Sequence, residues 1–480
     1  MAGSSLAHLT PVSNSLREKL RCALPARSFP ELSGKYLSEP RGRFTAGNVL
    51  VVAPKTANEV SKVLRLCGEV GTAVVPFGGG TGLVGGQIAA ELPDPVLLST
   101  ERMKEIRLVS TSDNALVAEA GCTLLAVQDA ARSAERIFPL STAAQGSCQI
   151  GGSLATNAGG VHVIRYGNAR SLCLGLEAVL PDGSIWNGLR PLRKNNAGYD
   201  LRDLLVGSEG TLGVITAACL KLHPRPRDET TCLLAVPDPT AALDLLELFQ
   251  NRFGNLISAF ELIQKNGYHF VRETVPGVKT PFNTPPDWSV LVDIGAEFEL
   301  GLAQRLEVAA GEALDRGYAS DGVIAASETQ RQSLWQFREL IPEANRRIGS
   351  VSSHDISVPP SAIPDLIAKA DQLLARFGEF RINCFGHVGD GNIHYNVFPP
   401  RGAAAAEFEN LRAPIRRAIH GLAEELGGSF SAEHGIGRLK LRDLQEFGDS
   451  ALLDSMRRVK KALDPLWIMN PGAVLPRETG

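Results

Sequence analysis

Two histidines, His387 and His394, are spaced in the segment RINCFGHVGDGNIHYN as a pair of metal ligands would be. If Asp390-Gly391 is a two-residue hairpin loop, His387 lies directly across from His394 and both imidazoles share one face. Cross-strand Cβ atoms are roughly 4.5 to 5.5 Å apart, a gap that a metal at about 2.0 to 2.1 Å from each ring nitrogen can span. Glu433, in SAEHGIG, offers a carboxylate as a third ligand. These residues predict a three-ligand metal site with room for a substrate.

The composition is that of a globular enzyme. The chain has 480 residues, enough for two or more domains, with 44% hydrophobic and 21% charged residues. A formal net charge of -3 and the lack of a long basic run argue against nucleic acid as a partner. The 8 cysteines form no CxxC pair, which argues against a disulfide framework and a thiolate zinc site. No apolar run reaches about 18 residues, so we expect no membrane span and a cytoplasmic location, or an organelle matrix in a eukaryote.

Glycine clusters mark the first part of the chain. They follow a predicted strand at 48–54, a helix that opens at Thr56 and a second strand at 72–76. The apolar side chains of that helix recur at i, i+3, i+4 and i+7: Val60, Val63, Leu64 and Cys67. The clusters occupy 77–86, 150–160 and 207–216, with a hairpin pattern, LEAVLPDGSIW, before the last one. We interpret the three loops as a cradle of backbone amides for a large phosphate-bearing ligand.

The prolines around LHPRP (222–226) predict a domain boundary. Beyond it, strands at 232–237, 258–263 and 288–295 alternate with helices at 239–252, 300–316 and 329–347. This pattern favours an antiparallel sheet, including the hairpin at 381–398, with helices on one side. A last helix is predicted at 449–463, in a tail that returns to the first domain. The predicted domains are 1–224, 225–425 and 426–480.

One glycine loop matches a dinucleotide fingerprint but not its context. Gly80, Gly82 and Gly85 fit GxGxxG after a predicted strand. A Rossmann loop must open a helix of about ten residues, whereas Pro93 and Pro95 follow here without an apolar stripe. We therefore favour an anion nest over a nicotinamide cofactor site.

Six segments carry a family resemblance: PFGGGTGLVGG, GGSLATNAGG, GSEGTLGVIT, GHVGDGNIHYN, SAEHGIG and NPG. In this order, over nearly the whole chain, they resemble the FAD-dependent 2-hydroxyacid dehydrogenases of the vanillyl-alcohol oxidase superfamily. The chain looks most like the D-2-hydroxyglutarate and D-lactate dehydrogenases and the glycolate oxidase flavoprotein subunit. The resemblance implies an α+β fold: a two-subdomain PCMH-type FAD-binding domain, a substrate domain whose antiparallel sheet is covered by helices, and a C-terminal segment that completes the flavin site.

The resemblance also implies which residues hold FAD. Those around the pyrophosphate would be Pro76, Gly78, Gly79, Gly80, Thr81, Gly82 and Leu83. Those along the cofactor would be Gly151, Gly152, Asn157, Gly159 and Gly160. Glu209, Gly210 and Ile215 would meet the adenine and ribose, and Asn470 would lie near the flavin. Some relatives attach flavin through a histidine in the first glycine loop, but residues 76–86 contain none, so we expect non-covalent FAD.

The implied reaction is oxidation of a 2-hydroxy acid, with the C2 hydrogen passing to flavin N5. By similarity, His387, His394 and Glu433 would hold a divalent ion, with zinc expected, that binds the substrate's oxygens. His434 would be the general base. Because consecutive side chains of an extended segment diverge, His434 can face the substrate while Glu433 faces the metal. Asn396 would hydrogen-bond the substrate and Arg338 would bind its carboxylate.

Ser353 departs from the family pattern. A lysine commonly precedes the HDISVP-like stretch of hydroxyglutarate enzymes and reaches the distal carboxylate, whereas Ser353 carries no charge. Arg346, Arg347 or Arg381 could substitute, so both D-2-hydroxyglutarate-like and D-lactate-like substrates stay open. The expected electron acceptor is external, an electron-transfer flavoprotein, a cytochrome or a quinone, and a homodimer stays open. The alternatives are a non-catalytic flavin-binding subunit and a non-redox relative of the alkylglycerone-phosphate synthase type.

Overall fold

The structure, a computed structural model, describes residues 9–476. The strands in this range are β1 (Leu50–Val52), β2 (Val74–Phe77), β3 (Val96–Ser99), β4 (Ile106–Ser110), β5 (Ala115–Glu119), β6 (Arg136–Ile137), β7 (Cys173–Val179), β8 (Ile185–Asn187), β9 (Val214–Lys221), β10 (His223–Pro224), β11 (Asp228–Val236), β12 (Ile257–Gln264), β13 (Trp288–Ala296), β14 (Asp321–Ile324), β15 (Ser352–Ser357), β16 (Arg381–His387) and β17 (Asn392–Phe398). The helices are α1 (Asn14–Ala23), α2 (Ala57–Val70), α3 (Leu124–Ser133), α4 (Ile150–Ala155), α5 (Val163–Tyr166), α6 (Leu201–Leu205), α7 (Pro239–Phe253), α8 (Lys265–Thr274), α9 (Leu302–Asp315), α10 (Glu328–Ile348), α11 (Ile363–Leu374), α12 (Glu409–Glu425), α13 (Leu441–Phe447) and α14 (Ser450–Leu463).

Contacts divide the described residues into two compact units. The first comprises the residues up to Gly159, 167–225 and those from Glu433 on, and the second comprises Gly160–Tyr166 and Pro226–Ala432. The short piece around α5 belongs to the second unit because Arg165 donates to Gly295 O at 2.7 Å and pairs with Glu297 at 3.0 Å. The boundaries predicted from the sequence stay predictions.

The first unit contains a parallel sheet in the order β1-β3-β2 and an antiparallel sheet in the order β4-β5-β9-β7-β8. Helix α2 begins where predicted, because the Thr56 side chain accepts a hydrogen bond from Glu59 N at 3.2 Å. It ends at Gly71, which adopts a φ of 70°. The predicted apolar stripe of this helix is confirmed, since all four of its side chains are fully buried.

The far end of the chain pairs with β2. Val74 N donates to Ile468 O at 2.8 Å and Asn470 N donates to Val74 O at 2.8 Å, so Met469 adds a parallel bridge to the strand. This pairing brings Asn470 beside the strand from which the first glycine loop emerges.

The second unit is built on an antiparallel sheet in the order β14-β11-β13-β12-β16-β17-β15. The expectation that helices cover one side is wrong, because both faces are covered. Along β11, Cys232 and Leu234 pack into a cluster that includes residues of α7 and α9, whereas Leu233 and Ala235 pack into one that includes residues of α8 and α10. Burial of both faces accounts for the continuous apolar run CLLAV, in which apolar and polar residues do not alternate.

Two further findings concern the cysteines and the helices. In the described residues all 8 cysteines are free and only Cys22 is exposed. None of the helices within 9–476 is long and apolar enough to cross a membrane.

Candidate active site

Four residues, 388–391, join β16 to β17, so the predicted two-residue loop is wrong. The register pairs Phe385 with His394 and His387 with Asn392. This differs from the predicted register by two positions. Because side chains alternate with a period of two, a shift of two leaves both histidines on one face. Their ring centroids lie 5.4 Å apart at an interplanar angle of 83°.

The three predicted metal ligands come together. Glu433 follows Ala432, whose N–H donates to Asp355 O at 3.2 Å. One ligand atom from each of His387, His394 and Glu433 lies within 4.8 Å of the other two. Two imidazole nitrogens and a carboxylate oxygen form a donor set that suits a divalent ion such as zinc and leaves coordination positions open. The side chains therefore fit the ion that the sequence predicted.

Glu261, which the sequence analysis did not single out, orients His387. The Glu261 side chain is fully buried, and its Oε1 lies 2.5 Å from His387 Nδ1. Burial alone would raise the pKa of Glu261, but the charges and hydrogen bonds of His387 and Arg338 outweigh it and lower the pKa to about 2. An anionic Glu261 accepts Nδ1–H and leaves Nε2 for a metal. The sequence clue was a lone acid inside the apolar strand SAFELI.

A second acid stands behind His394. Asp355 pairs with His394 across β15 and β17, and its Oδ1 lies 3.9 Å from His394 Nδ1. Asn392 holds this carboxylate with a 3.0 Å hydrogen bond from Nδ2. Each histidine of the hairpin thus has a buried carboxylate on its Nδ1 side, an arrangement common around metal-bound histidines.

Arg338 is buried rather than solvated. Its Nε and a terminal nitrogen bind Glu261 Oε2 at 2.9 and 2.7 Å, and its guanidinium lies 4.7 Å from the Phe385 ring centroid. One carboxylate therefore contacts both the predicted metal ligand His387 and the predicted substrate-binding arginine. Whether the rest of the guanidinium binds a substrate stays a prediction.

Asn396 lies on the same face as His394, two residues further along β17. Its Nδ2 donates to His394 O at 3.0 Å and to Asn383 O at 3.3 Å. Asn396 pairs in register with Ser353, so the uncharged position noted in the sequence adjoins this predicted substrate contact. The Asn396 contact with substrate itself stays a prediction.

The arginines suggested as substitutes for the missing lysine all have acidic partners. Arg346 and Arg347 each pair with Glu343 at 2.8 Å. Arg381 pairs with Glu273 at 3.0 Å and also donates to Pro399 O. A distal substrate carboxylate would have to compete with these acids for each guanidinium.

His434, the predicted base, adjoins the ligand Glu433. His434 Nε2 lies 3.6 Å from Glu433 Oε1, and the two side chains are 24% and 22% exposed. A partly exposed imidazole next to the predicted metal ligand is accessible to a substrate.

The first glycine loop has the properties of an anion nest. Within the described residues, the backbone N–H groups of residues 78–83 donate to no other backbone group. Gly80 adopts a φ of 74°, which helps successive amides to point the same way. A Cβ on Gly79 would overlap Ser147 O, whereas a Cβ on Gly152 would meet nothing within 4 Å. Within the described residues, the loop therefore leaves backbone donors, including those of Thr81 and Leu83, without a backbone acceptor, and a pyrophosphate is an anion that such donors suit.

The other residues predicted to contact FAD lie in the same unit, apart from Gly160, and several have a backbone role. Asn157 and Asn470 have positive φ values of 50° and 41°. Asn157 Oδ1 accepts from Arg170 N at 2.9 Å, Gly151 packs against Ala120, and Gly210 packs against Pro76. Ile215 is buried in β9, and Gly159 is the last residue before the piece containing α5. Their contacts with FAD stay predictions.

The Glu209 carboxylate binds two backbone amides, and its contact with the adenine and ribose stays a prediction. Oε1 accepts from Ile436 N at 2.7 Å and Oε2 accepts from Gly437 N at 2.9 Å. Burial raises the pKa of Glu209 to about 7, although these two hydrogen bonds and the charge of Lys440 act in the opposite direction. The sequence showed Glu209 in a glycine loop, but not that the SAEHGIG segment would supply its partners.

Two family profiles match the chain. The profile described as FAD linked oxidases, C-terminal domain, matches residues 225–474, and the one described as FAD binding domain matches residues 49–188. The D-2-hydroxyglutarate dehydrogenase of Xanthomonas citri pv. viticola is 36% identical, with 94% of each chain covered. The mitochondrial D-2-hydroxyglutarate dehydrogenase of Arabidopsis thaliana is 34% identical over 99% of this chain and 85% of its own.

Solved structures share the fold. p-Cresol methylhydroxylase with substrate bound superposes with a TM-score of 0.75 at 15% identity, covering 97% of this chain and 98% of its own. An alkyldihydroxyacetonephosphate synthase gives a TM-score of 0.73 at 15% identity, covering 100% of this chain and 88% of its own. At this identity the likeness shows the PCMH-type fold alone.

Proposed function

This chain belongs to the family of FAD-linked oxidases and is an FAD-dependent oxidoreductase that resembles D-2-hydroxyacid dehydrogenases, and from that premise we propose that it uses a divalent metal to oxidise a D-2-hydroxy acid. The observation that carries the proposal is the meeting of His387, His394 and Glu433 beside His434. A flavoprotein subunit without catalysis has no need of this donor set. The same holds for a relative of the alkylglycerone-phosphate synthase type.

His387, His394 and Glu433 would hold the ion, with zinc as the first candidate because the donors are nitrogen and oxygen. When bound, a divalent ion supplies a Lewis acid that lowers the pKa of a ligated hydroxyl. The protein's task is to fix the ligands. Glu261 lies 2.5 Å and Asp355 lies 3.9 Å from Nδ1 of His387 and His394, respectively, so Nε2 of each ring would be the atom available to the ion.

FAD would lie with its pyrophosphate on the amides of residues 78–83. When bound, FAD supplies N5 as the acceptor for a hydride from C2 of the substrate. His434 removes the hydroxyl proton at an imidazole nitrogen, and Arg338 holds the C1 carboxylate with the guanidinium N–H groups that do not bind Glu261. Asn396 contributes a hydrogen bond from the face that carries His394.

Two substrate classes follow from different observations. The printed names of the relatives favour D-2-hydroxyglutarate. The residues of this chain favour an acid without a distal charge, such as D-lactate, because Ser353 is neutral and the three arginines considered as substitutes already pair with acids. We favour the second class, since an unpaired distal carboxylate in the site would lose its hydration without gaining a partner.

Anaerobic reduction of the purified flavoprotein, followed at the visible absorbance of its flavin, tests the proposal. D-2-hydroxy acids should bleach the flavin and L-enantiomers should not. Treatment with a chelator should abolish bleaching and added zinc should restore it. Bleaching that is indifferent to the chelator would contradict the metal, and a panel of acids without effect would contradict the reaction itself.

Three features remain part of the proposal. The electrons would leave to an external carrier, which is an electron-transfer flavoprotein, a cytochrome or a quinone. A homodimer stays open. A location in the cytoplasm or an organelle matrix also stays open, although the relative from Arabidopsis thaliana is named mitochondrial.

A further inference from the structure

Glu209 is a buried acid whose side chain no proposed step uses. It is 9% exposed and lies in the GSEGTLG loop with a φ of 51°. Its two oxygens each accept one backbone amide, from Ile436 and Gly437. These amides follow His434 and Gly435 directly in the chain. The carboxylate therefore holds the segment that carries the proposed base.

Glu209 is itself held on both sides. Its N–H donates to Ala155 O at 2.8 Å, and its carbonyl accepts from Asn470 Nδ2 at 2.8 Å. The same Asn470 Nδ2 donates to Gly86 O at 2.9 Å. Because hydrogen bonds hold both the N–H and the carbonyl of Glu209, its side chain starts from a fixed backbone position and constrains the residues that it binds.

The segment fits closely against this carboxylate. A Cβ on Gly435 would come within 2.7 Å of Glu209 Oε1, and a Cβ on Gly437 would overlap Val84 O. Both glycines have positive φ values, of 79° and 51°. Beyond them, Arg438 N and Leu439 N donate to Val84 O at 2.9 and 3.1 Å. The segment is thus fixed on the C-terminal side of His434 by two acceptors, Glu209 and Val84.

We propose that Glu209 is the positioning residue for residues 433–437, and that its carboxylate sets the place of His434 and Glu433. The roles of those two residues rest on the proposed function, but the hydrogen bonds to the segment do not. Two of the five residues of this segment, Gly435 and Gly437, are glycines, so the segment has little side-chain packing of its own. Two hydrogen bonds from its backbone to the Glu209 carboxyl group supply the constraint instead.

Glu209→Gln tests the inference, because it keeps the volume but turns an NH2 group toward one of the two amides. A buried donor that is left unsatisfied costs about 1 to 3 kcal/mol, which corresponds to roughly tenfold or more. We expect amide hydrogen exchange at Ile436 and Gly437 to rise at least about tenfold and flavin reduction at saturating substrate to slow by a similar factor. FAD content should stay at the wild-type level.

Glu177→Gln is the matched control. Glu177 is 8% exposed, lies in the same unit and binds Arg107 and Thr216 rather than the 433–437 segment. Its substitution should leave exchange at Ile436 and Gly437 unchanged. Glu209→Asp, which keeps the charge but withdraws it by one methylene, should give an intermediate exchange rate and serves if the glutamine variant does not fold.

Each outcome decides a separate point. Unchanged exchange at both amides in the Glu209 variants would overturn the inference whatever the activity. Loss of FAD in parallel with the rate would place Glu209 on the cofactor and would also overturn it. If the wild-type flavin is reduced by no 2-hydroxy acid, the proposed function fails, while the exchange rates still decide the role of Glu209.

Discussion

Glu261→Gln removes the negative charge that His387 and Arg338 share. The wild-type carboxylate is fully buried and lies within 2.9 Å of nitrogens from both partners. A glutamine of the same shape keeps one acceptor oxygen. Its NH2 group must then face either the guanidinium of Arg338 or Nδ1–H of His387, so that one donor opposes another.

Two effects of different size follow. Removal of one partner from a buried ion pair typically costs about 3 to 5 kcal/mol of folding free energy, and we expect the lower end because one hydrogen bond survives. Loss of the carboxylate behind a metal-bound histidine typically weakens metal binding about 10- to 100-fold, or about 1.4 to 2.7 kcal/mol. The first effect concerns Arg338 and the second concerns His387, so they can be measured separately.

Two measurements separate the loss of stability from the loss of metal binding. Denaturant unfolding in excess chelator measures stability, and competition with a chromophoric chelator measures zinc affinity. Asp293→Asn is the control, because Asp293 is 2% exposed in the same sheet and pairs with Arg331 at 3.3 Å. We expect both variants to lose stability and only Glu261→Gln to lose zinc affinity. Zinc affinity equal to wild type in Glu261→Gln would refute the claim that this carboxylate orients the ligand.

Three further predictions concern the cofactor, the substrate and pH. Gly152→Ala should fold normally, because its methyl group enters open space, but the methyl group should weaken FAD binding measured by equilibrium dialysis. Gly79→Ala should instead reduce the yield of soluble folded protein, because its methyl group meets Ser147 O. Ser353→Lys adds a cation beside Asn396, so the rate of flavin reduction by D-2-hydroxyglutarate should rise relative to the rate with D-lactate by roughly tenfold or more. An unchanged ratio of the two rates would show that position 353 does not meet the substrate. Glu209 binds its proton more tightly when the protein is folded, because its pKa is about 7 in the folded protein against an ordinary value of 4.5. The protonated side chain therefore contributes fully to stability below about pH 4.5, and this contribution is lost as the pH rises to about 7. The free energy of urea unfolding of Glu209→Gln should lack this dependence on pH.

The sequence predicted elements whose causes are local. Helix α2 was predictable because Thr56 caps it and its apolar stripe follows the helical period. The face shared by His387 and His394 was also predictable, even though the loop length was wrong, because any even shift of register preserves the face. The sequence therefore predicted which face carries the two histidines, but not which residues pair across the hairpin.

What the sequence could not show depends on contacts between distant residues. Glu261 lies 126 positions from His387 and 77 from Arg338, and no local pattern marks those pairs. Glu209 meets Ile436 across 227 positions, and its glycine-rich surroundings in the sequence do not indicate this partner. The second layer of helices on the sheet was missed for the same reason, since a single strand does not reveal what covers its far face.

The bridge between Val74 and Met469 bears on how this protein is made. A ribosome releases β2 long before it synthesises the residues that pair with it, because synthesis proceeds from the amino terminus. The sheet edge at Val74 must therefore wait, exposed to chaperones or to incorrect pairing, until translation has passed position 470. A premature stop codon before position 469 would leave the nascent flavoprotein unable to complete this sheet, however intact its glycine loops.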